Sequence, residues 1–177
     1  MKHLVALLLL VAALAFAPRA EAFSLSLEPA SQTIPVGGPA TYTLRVTDLA
    51  EPVFLYTLDL FFDSSVLSFQ NVDFLAGPGE AYNPGGPDLD LPDLLTLIGA
   101  SIPAGSFELA SITFTGINNG SSDLVILFNE FLGESGEFYE DPNFPSAQAN
   151  VVPEPSTLLL LGAGLAALGA AARRRRH

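Results

Sequence analysis

Acidic side chains gather in two places along this chain, and they are the residues whose type and spacing first suggest chemistry. Asp88, Asp90 and Asp93 lie in a stretch rich in glycine and proline. The second group consists of Glu134, Glu137, Glu140 and Asp141. Carboxylates gathered on loops suit Ca²⁺, a hard cation that takes about six to eight oxygen ligands. The first group lacks the spacing and the central glycine of an EF-hand loop, so a solvated acidic surface is the preferred interpretation and a calcium site is the alternative.

Composition excludes most catalytic chemistry from the middle of the chain. Cysteine is absent, and His3 and His177 lie at the two ends. Residues 23–152 therefore contain no histidine, cysteine, lysine, methionine or tryptophan. Without these residues a Ser-His-Asp triad, a histidine zinc site, a thiol nucleophile and a Schiff-base lysine are all excluded. A pair of carboxylates could still hydrolyse glycosides, but no pair stands out, so we expect a protein that is not an enzyme and has no cofactor, with bound calcium as the one alternative.

The charge balance of the middle segment excludes nucleic acid as a partner. Of the seven basic residues, only Arg45 lies within residues 23–152, where seventeen acidic residues stand against it, an excess of sixteen negative charges. Nucleic-acid binding depends on lysine and arginine that neutralise phosphates. An acidic surface of this kind instead favours solubility and cation binding.

Aromatic side chains are the usual platforms for sugar binding. With no tryptophan, the tyrosines are the candidates, and Tyr82 and Tyr139 fall in predicted loops where their rings would be exposed. Tyr42 and Tyr56 are expected at the sheet boundary or in the core. The phenylalanines other than Phe16 are predicted to be core residues.

Period-two alternation of apolar and polar residues predicts strands throughout the middle segment. The predicted strands cover residues 24–28, 41–46, 55–62, 66–72, 94–98, 107–114 and 124–128. Clusters of Gly, Pro, Asn and Asp separate them. Many short strands with turn signals between them predict a single antiparallel β-sandwich over residues 23–150.

Individual positions sharpen this prediction. Tyr42, Leu44 and Val46 should share one face of their strand, since side chains alternate across a strand. In the strand at residues 66–72, Asn71 falls on the same predicted face as Leu67 and Phe69. Asn119-Gly120 is predicted to form a hairpin turn, because both residue types tolerate positive φ.

The N-terminal residues read as a secretory signal peptide. Lys2 gives a positive start, an apolar run follows, and Ala20 and Ala22 supply small residues at the positions that signal peptidase recognises. Cleavage is expected before Phe23, leaving residues 1–22 behind. An uncleaved N-terminal anchor is the alternative, but the run is short and Pro18 follows it.

The C-terminal residues 151–177 read as a membrane-stop segment. Pro153, Glu154 and Pro155 precede an apolar run at residues 158–172, and four arginines follow, Arg173, Arg174, Arg175 and Arg176. At about 1.5 Å per residue the helix is slightly short for a hydrocarbon core of about 30 Å, and the arginine side chains can snorkel to compensate. The positive-inside rule places the arginines on the cytoplasmic side.

This order of three elements resembles the PEP-CTERM protein-sorting signal. The resemblance implies export across the inner membrane of a Gram-negative bacterium, processing by an exosortase, and a place at the cell surface or in the extracellular matrix. Signal peptidase and exosortase would be the processing partners, with the C-terminal helix in the membrane. An ordinary tail-anchored protein, with the PEP strip as a stiff spacer, is the alternative.

The middle segment resembles the jelly-roll sandwich of cohesins and carbohydrate-binding modules. The similarity rests on the strand that ends at Asp63 and leads into Val66-Leu67, and on the segment Leu109-Ala110-Ser111-Ile112-Thr113-Phe114. It implies a non-catalytic binding module for a polysaccharide or a surface protein. A generic immunoglobulin-like sandwich would show the same periodicity. The other function hypotheses are an acidic structural matrix component without a specific ligand and, last, a carboxylate-pair glycoside hydrolase.

Overall fold

The alternating segments form strands along almost the whole of the described chain. A computed structural model describes residues 23–82, 93–153, 160 and 162–165. In these residues the strands are β1 Ser24–Glu28, β2 Ser31–Pro35, β3 Pro39–Leu49, β4 Val53–Phe61, β5 Leu67–Phe74, β6 Gly79–Tyr82, β7 Leu94–Ile102, β8 Gly105–Gly116, β9 Gly120–Gly133, β10 Phe138–Tyr139 and β11 Ser146–Val152. Residues 160 and 162–165 are helical.

Two sheets are built from these strands. One has four strands in the order β1-β3-β8-β5, all antiparallel to their neighbours. The other has seven strands: six in the order β2-β11-β9-β4-β7-β6, with β10 pairing with the C-terminal part of β9. Strands β2 and β11 are parallel, and the other described pairs in this sheet are antiparallel.

The inner faces of the two sheets share one apolar core. From the four-stranded sheet Tyr42, Leu44 and Phe114 are buried, and from the seven-stranded sheet Tyr56 and Phe131 are buried with them. The Tyr42 hydroxyl donates to the carbonyl oxygen of Gln148 at 2.8 Å, which joins β3 of one sheet to β11 of the other. Burial raises the pKa of Tyr42 to about 12. The architecture is therefore an all-β sandwich, as the alternation predicted, but the parallel β2–β11 pair makes the seven-stranded sheet mixed and not wholly antiparallel as expected.

Each of the seven predicted strands is present, and most extend further than predicted. The expected burial of Tyr42, Leu44 and Val46 on one face is confirmed, as is the expected core position of Tyr56. Strands β2, β6, β10 and β11 were not predicted. They are short or lack a run of large apolar residues, so their alternation is weak and only pairing to a neighbouring strand defines them.

Two finer predictions were wrong. Asn119-Gly120 does not close a hairpin, because β8 lies in the four-stranded sheet and β9 in the seven-stranded sheet. The turn instead carries the chain from one layer to the other. Asn71 is exposed, although Leu67 is buried, because the β5–β8 register shifts between Phe69 and Asn71 and the alternation changes phase there.

The predicted signal peptide at residues 1–22 lies outside the described residues, and so does most of the predicted C-terminal helix. Among the residues that are described, no helix has the length and apolar character needed to cross a membrane.

Candidate functional site

Two β-bulges in the pairing of β4 with β9 turn consecutive apolar side chains outward. In β4 the register shifts between Val53 and Leu55, so Phe54 is an extra residue that has no pairing partner on β9. Val53 is buried, whereas Phe54 is 63% exposed and Leu55 is also exposed. In β9 a second shift leaves Leu127 without a partner, and Leu127 and Phe128 are both exposed. A bulge opposes two residues to one and so interrupts the in-out alternation.

One row of apolar residues crosses four strands on the outer face of the seven-stranded sheet. Leu55 of β4 pairs with Ala100 of β7 on one side and with Leu132 of β9 on the other. Leu132 in turn pairs with Phe138 of β10, which is 60% exposed. Residues directly opposite each other on neighbouring strands point to the same face. The row is therefore continuous from β7 to β10.

A second row lies further along the same face. Phe61 of β4 pairs with Leu94 of β7 and with Val125 of β9, and Phe61 is exposed. We call this surface the apolar sheet face and define it by its largest exposed or partly exposed side chains, Leu55, Phe61, Leu127, Phe128, Leu132 and Phe138. Contiguous exposed apolar surface on a folded domain marks interaction sites more often than single exposed residues do.

Carboxylates stand between these apolar rows. Glu80 of β6 pairs with Ile98, and Glu130 of β9 pairs with Thr57. Asp59 accepts a hydrogen bond from the Thr96 hydroxyl at 2.6 Å. The one lysine or arginine of residues 23–152, Arg45, lies on β3 in the other sheet. The apolar sheet face is therefore negatively charged and complements a partner with apolar and cationic groups.

Tyr82 lies at the β6 edge of this face. Its side chain is 49% exposed, and with Leu55, Glu80 and Ile98 it lines an open pocket of about 310 Å³. Tyr82 pairs with Thr96 on β7. Of the two tyrosines proposed from the sequence, this one offers an accessible ring.

Tyr139 is placed differently. It pairs with buried Phe131 and packs edge-on against Phe23 at a centroid distance of 6.3 Å. Its hydroxyl donates to the Glu51 carboxylate at 3.0 Å, and this hydrogen bond raises the pKa of Tyr139. Its ring therefore joins β10 to the N-terminal residues of the sandwich.

Glu51 also fixes the loop that follows β9. Its carboxylate accepts hydrogen bonds from the Ser135 hydroxyl and from the Ser135 N–H, the latter at 3.1 Å. The hydrogen bond from the Ser135 side chain is the largest of the effects that lower the pKa of Glu51. The loop is thereby held at the start of β4, next to Phe54.

The second acidic group divides into exposed and buried members. Glu134, Glu137 and Glu140 are exposed, whereas Asp141 is 2% exposed. The Asp141 carboxylate accepts hydrogen bonds from the Leu25 N–H at 2.7 Å and from the Asn143 N–H at 2.9 Å. These bonds tie β1 to the segment between β10 and β11, so Asp141 has a structural role.

The first acidic group is described in part. Asp88 and Asp90 lie outside the described residues. Asp93 accepts a hydrogen bond from the Ser64 N–H at 2.8 Å, and the hydrogen bonds from Ser64 lower the pKa of Asp93. In the part of the chain that the structure describes, no three His, Cys, Asp or Glu side chains lie close enough together to hold a metal ion. The calcium site at Asp88, Asp90 and Asp93 stays a prediction.

The processing residues lie mostly beyond the described part of the chain. Pro153 is exposed directly after β11. The others fall outside the described residues: Ala20, Ala22, Glu154, Pro155, Arg173, Arg174, Arg175 and Arg176.

The apolar sheet face was missed from the sequence, because the phenylalanines were all expected in the core. Five of them are exposed: Phe54, Phe61, Phe128, Phe138 and Phe144. A signal for part of this face was present. Phe54-Leu55 and Leu127-Phe128 are consecutive large apolar residues inside alternating strands, and such a pair must either form a bulge or expose one member.

Solved structures share this arrangement of strands. A non-cellulosomal cohesin from Archaeoglobus fulgidus matches with a TM-score of 0.61 at 12% sequence identity, covering 77% of this chain and 95% of that chain. This chain has the fold of a cohesin module. The sixth cohesin of scaffoldin B from Acetivibrio cellulolyticus, solved in complex with a Cel5 dockerin, matches with a TM-score of 0.59 at 10% identity, covering 74% and 99%. A cohesin module of a Clostridium perfringens family 33 glycoside hydrolase matches with a TM-score of 0.57 at 9% identity, covering 75% and 97%.

The C-terminal residues match a known family. Residues 151–176 match the PEP-CTERM protein-sorting motif, as their three-part order indicated. No curated protein matches the chain. The cohesin-like sandwich thus ends where the sorting motif begins, at the last residues of β11.

Proposed function

We propose that this protein is an exported, non-catalytic binding module that docks a protein partner on its apolar sheet face. The observation that carries the proposal is the continuous apolar row from Ala100 through Leu55 and Leu132 to Phe138. Exposed apolar side chains of this size gain about 25 cal/mol per Å² when a partner removes them from water. The cohesin fold supports a protein partner, since the Acetivibrio cellulolyticus module was solved with a dockerin.

The carboxylates of this face define the chemistry of the partner. Asp59, Glu80 and Glu130 would repel a second acidic domain, and they favour a partner whose apolar residues are flanked by lysine or arginine. Repulsion between two copies of this chain also disfavours self-association through the same face.

A cross-linking experiment tests the proposal, because the chain contains no cysteine. A photoactivatable maleimide would be attached at Glu130→Cys on the apolar sheet face and, as the matched control, at Thr41→Cys on the outer face of the four-stranded sheet. Cross-links to one discrete envelope or matrix protein of the producing organism are expected from Glu130→Cys alone. Equal cross-linking from both positions would contradict the assignment of this face.

Binding measurements with the identified partner then measure the role of the apolar row. Leu55→Asp should weaken binding by at least about 30-fold, because central apolar residues of an interface commonly contribute about 2 kcal/mol or more. Thr41→Asp adds the same charge on the other sheet and should leave binding unchanged. Equal losses from the two variants would indicate a general charge effect.

A polysaccharide ligand is the second candidate, supported by Tyr82. Its exposed ring borders the pocket at the β6 edge, and an aromatic ring can stack on the apolar face of a sugar. A glycan array that compares the protein with Tyr82→Ala tests this function. Binding that disappears in Tyr82→Ala would favour the sugar ligand, and an empty array would favour the protein partner.

Export, anchoring and processing form the remaining part of the proposal. The sorting motif at residues 151–176 supports membrane anchoring by residues 158–172 and cleavage by an exosortase. Intact mass of the protein from the membrane and culture fractions of the producing organism tests this. Loss of residues 1–22 and of the tail after about Pro153 in the released form is expected. Retention of the complete tail in every fraction would indicate a plain tail anchor and would weaken the matrix role. A bulk acidic matrix component without a specific ligand would instead be processed but would form no cross-link to a specific partner.

A further inference from the structure

Strand β11 carries the chain to one end of the sandwich and is fixed there as far as its last residue. The carbonyl oxygen of Val152 accepts a hydrogen bond from the Val36 N–H at 3.0 Å. Val36 begins the turn between β2 and β3. In the same turn the Gly37 N–H donates to the carbonyl oxygen of Gly116, at the end of β8, at 2.7 Å. The final strand therefore ends against a turn that is itself bonded to the opposite sheet.

Two further turns belong to this end. The Ile117 N–H donates to the carbonyl oxygen of Val66 at 2.8 Å, and the Asn118 side chain donates to the carbonyl oxygen of Ser65 at 2.7 Å. The turn after β8 and the turn before β5 are thus joined. We call this surface the tether end and define it by residues 36–38, 64–66 and 117–119 together with Val152.

The tether end bears exposed apolar side chains. Ile117 is 41% exposed and Val152 is 38% exposed. Segments 33–41, 114–122 and 149–153 contain no acidic residue, although residues 23–152 contain seventeen. Two carboxylates flank this end, those of Asp63 and Asp93, and both accept hydrogen bonds from the turn at Ser64 and Ser65. Asp88 and Asp90 belong to the segment that connects the end of β6 to the start of β7, and they lie outside the described residues.

The opposite end of the sandwich is acidic. Strand β9 runs from the tether end to Gly133, and its fourteen residues span roughly 40 Å at about 3.3 Å per residue. The loops at that far end carry Glu51, Glu134 and Glu137, and β3 ends there beside Asp48. Both ends of the long axis therefore carry carboxylates, and charge alone does not distinguish them.

The chain between the sandwich and the apolar run is short. Five residues, 153–157, separate Val152 from residue 158. Fully extended at about 3.3–3.6 Å per residue, the six steps from Val152 to residue 158 reach at most about 20 Å. The lipid headgroup layer takes up roughly 5–8 Å of this distance on each side of the hydrocarbon core. Val152 therefore has about 15 Å or less of free tether above the headgroups when residues 158–172 are in the bilayer.

We propose that the tether end lies against the lipid headgroups in the anchored form of the protein and that the opposite end, at Gly133, points away from the membrane. The proposal rests on the membrane anchoring by residues 158–172 proposed above. The short tether brings this end to the surface, where Ile117 and Val152 are exposed. The strands are then roughly perpendicular to the membrane plane, so the apolar sheet face is directed to the side, where it can meet partners at the surface, and not towards the lipid.

Single cysteines in the otherwise cysteine-free chain test this orientation. Asn119→Cys at the tether end and Glu134→Cys at the far end would each carry a small fluorophore. The full chain, expressed with its own signal segment and purified from membranes, is placed in vesicles of phosphatidylethanolamine and phosphatidylglycerol that contain a nitroxide-headgroup lipid. Because the two ends are roughly 40 Å apart, fluorescence at residue 119 should be quenched at least about threefold more than at residue 134. Equal quenching, or stronger quenching at residue 134, would overturn the orientation.

Two controls separate this inference from the anchoring on which it rests. Flotation of the vesicles reports anchoring directly, and protein that does not float would overturn both proposals. Floating protein with equal quenching at the two ends would overturn the orientation alone. Twelve Gly/Ser residues inserted after Val152 lengthen the tether to an average span of roughly 20–25 Å and should remove most of the difference in quenching. A difference that survives the insertion would show that the short tether does not orient the domain.

Discussion

The two sheets of this sandwich have equally apolar inner faces but very different outer faces. On the four-stranded sheet the outward positions carry Thr43 opposite Ser111, and Thr41 opposite Thr113. On the seven-stranded sheet the corresponding layer carries Leu55 opposite Leu132, with Phe61 and Phe128 beside them. Both faces are open to solvent, so core formation does not explain the difference. A sheet that needs only solubility can keep polar residues outward, whereas an outward apolar layer costs solubility and indicates a surface kept for a partner.

The bulges mark the same difference. In the four-stranded sheet the shift between Phe69 and Asn71 leaves polar residues outside. In the seven-stranded sheet the two shifts between β4 and β9 place Phe54 and Leu127 outside. A bulge therefore does not by itself create an apolar surface. The residue that occupies the extra position decides what the bulge exposes.

The difference between inner and outer faces is tested most strongly by truncating one inward and one outward phenylalanine of the same strand. Phe131 of β9 stacks with Tyr56 at a centroid distance of 5.4 Å and contacts Phe23 at 5.0 Å. Phe131→Ala should lower the free energy of unfolding by about 3–5 kcal/mol, because it empties a buried site. Phe128→Ala should change it by no more than about 0.5 kcal/mol. Urea unfolding followed by circular dichroism measures both, and equal losses would mean that Phe128 serves the fold.

The next largest effect should come from releasing the segment that holds Phe138 on the apolar sheet face. Asp141→Ala removes the acceptor of the buried Leu25 N–H and should cost about 1–3 kcal/mol of unfolding free energy. Asp141→Asn retains one acceptor oxygen and should cost less. Hydrogen exchange measured by mass spectrometry should show faster exchange in β1 and β10 of Asp141→Ala. Unchanged exchange there would remove the structural role given to Asp141.

On the outer face of the four-stranded sheet, the ion pairs of Arg45 are expected to contribute little to the free energy of unfolding. Arg45 lies 2.9 Å from the Glu108 carboxylate and 3.6 Å from the Glu28 carboxylate, all three side chains being well exposed. Arg45→Gln should lower the unfolding free energy by about 1 kcal/mol or less, because exposed ion pairs are screened by solvent. The loss should shrink further in 1 M salt. A loss of more than about 2 kcal/mol that salt does not change would show a buried, structural ion pair.

The smallest effect concerns pH and the carboxylate beside the apolar sheet face. Hydrogen bonds from Ser135 lower the pKa of Glu51 in the folded state. The stabilisation they give is present above the ordinary glutamate pKa of about 4.3 and is lost as pH falls through the lowered value. The thermal midpoint of Glu51→Gln should therefore lie slightly below that of the unmodified protein at neutral pH, and the two should converge in acid.

Glu134→Gln serves as the control for this measurement, since Glu134 is an exposed residue of the loop after β9 that Glu51 holds in place. Its thermal midpoint should follow that of the unmodified protein across the pH range. A difference between Glu51→Gln and the unmodified protein that persists unchanged into acid would mean that the carboxylate charge of Glu51 is not the source of the stabilisation.

Much of the fold could be predicted from the sequence, because strand alternation is a property of neighbouring residues. The predicted strand at residues 24–28 coincides with β1, and the inward set of Tyr42, Leu44 and Val46 is correct. Prediction failed where long-range pairing decides the outcome. Strand β11 is largely small and polar, yet it lies between β2 and β9 because its backbone completes both ladders.

The candidate site was predicted less well for the same reason. Both tyrosines were expected in loops, but Tyr82 lies in β6 and Tyr139 in β10. Tyr82 is exposed as expected, whereas Tyr139 is partly buried against Phe23. Neither the position of Phe138 opposite Leu132 nor the joining of Leu55 to that row could be read from the chain, since each depends on which strands become neighbours. The exposed pairs Phe54-Leu55 and Leu127-Phe128 were visible as breaks in alternation but were not interpreted as a surface.

The sequence by itself determined the properties that depend on residue type and local spacing. These are an acidic domain without catalytic histidine or cysteine, strands of alternating character, and a C-terminal sorting motif. These follow from residue types and from spacing over a few positions, which need no knowledge of the fold. Only the tertiary structure decided which strands share a sheet, where Phe54 and Leu127 form bulges, and that Val152 ends against the turn at Val36. Those features depend on hydrogen bonds between residues far apart in the chain, which local alternation does not specify.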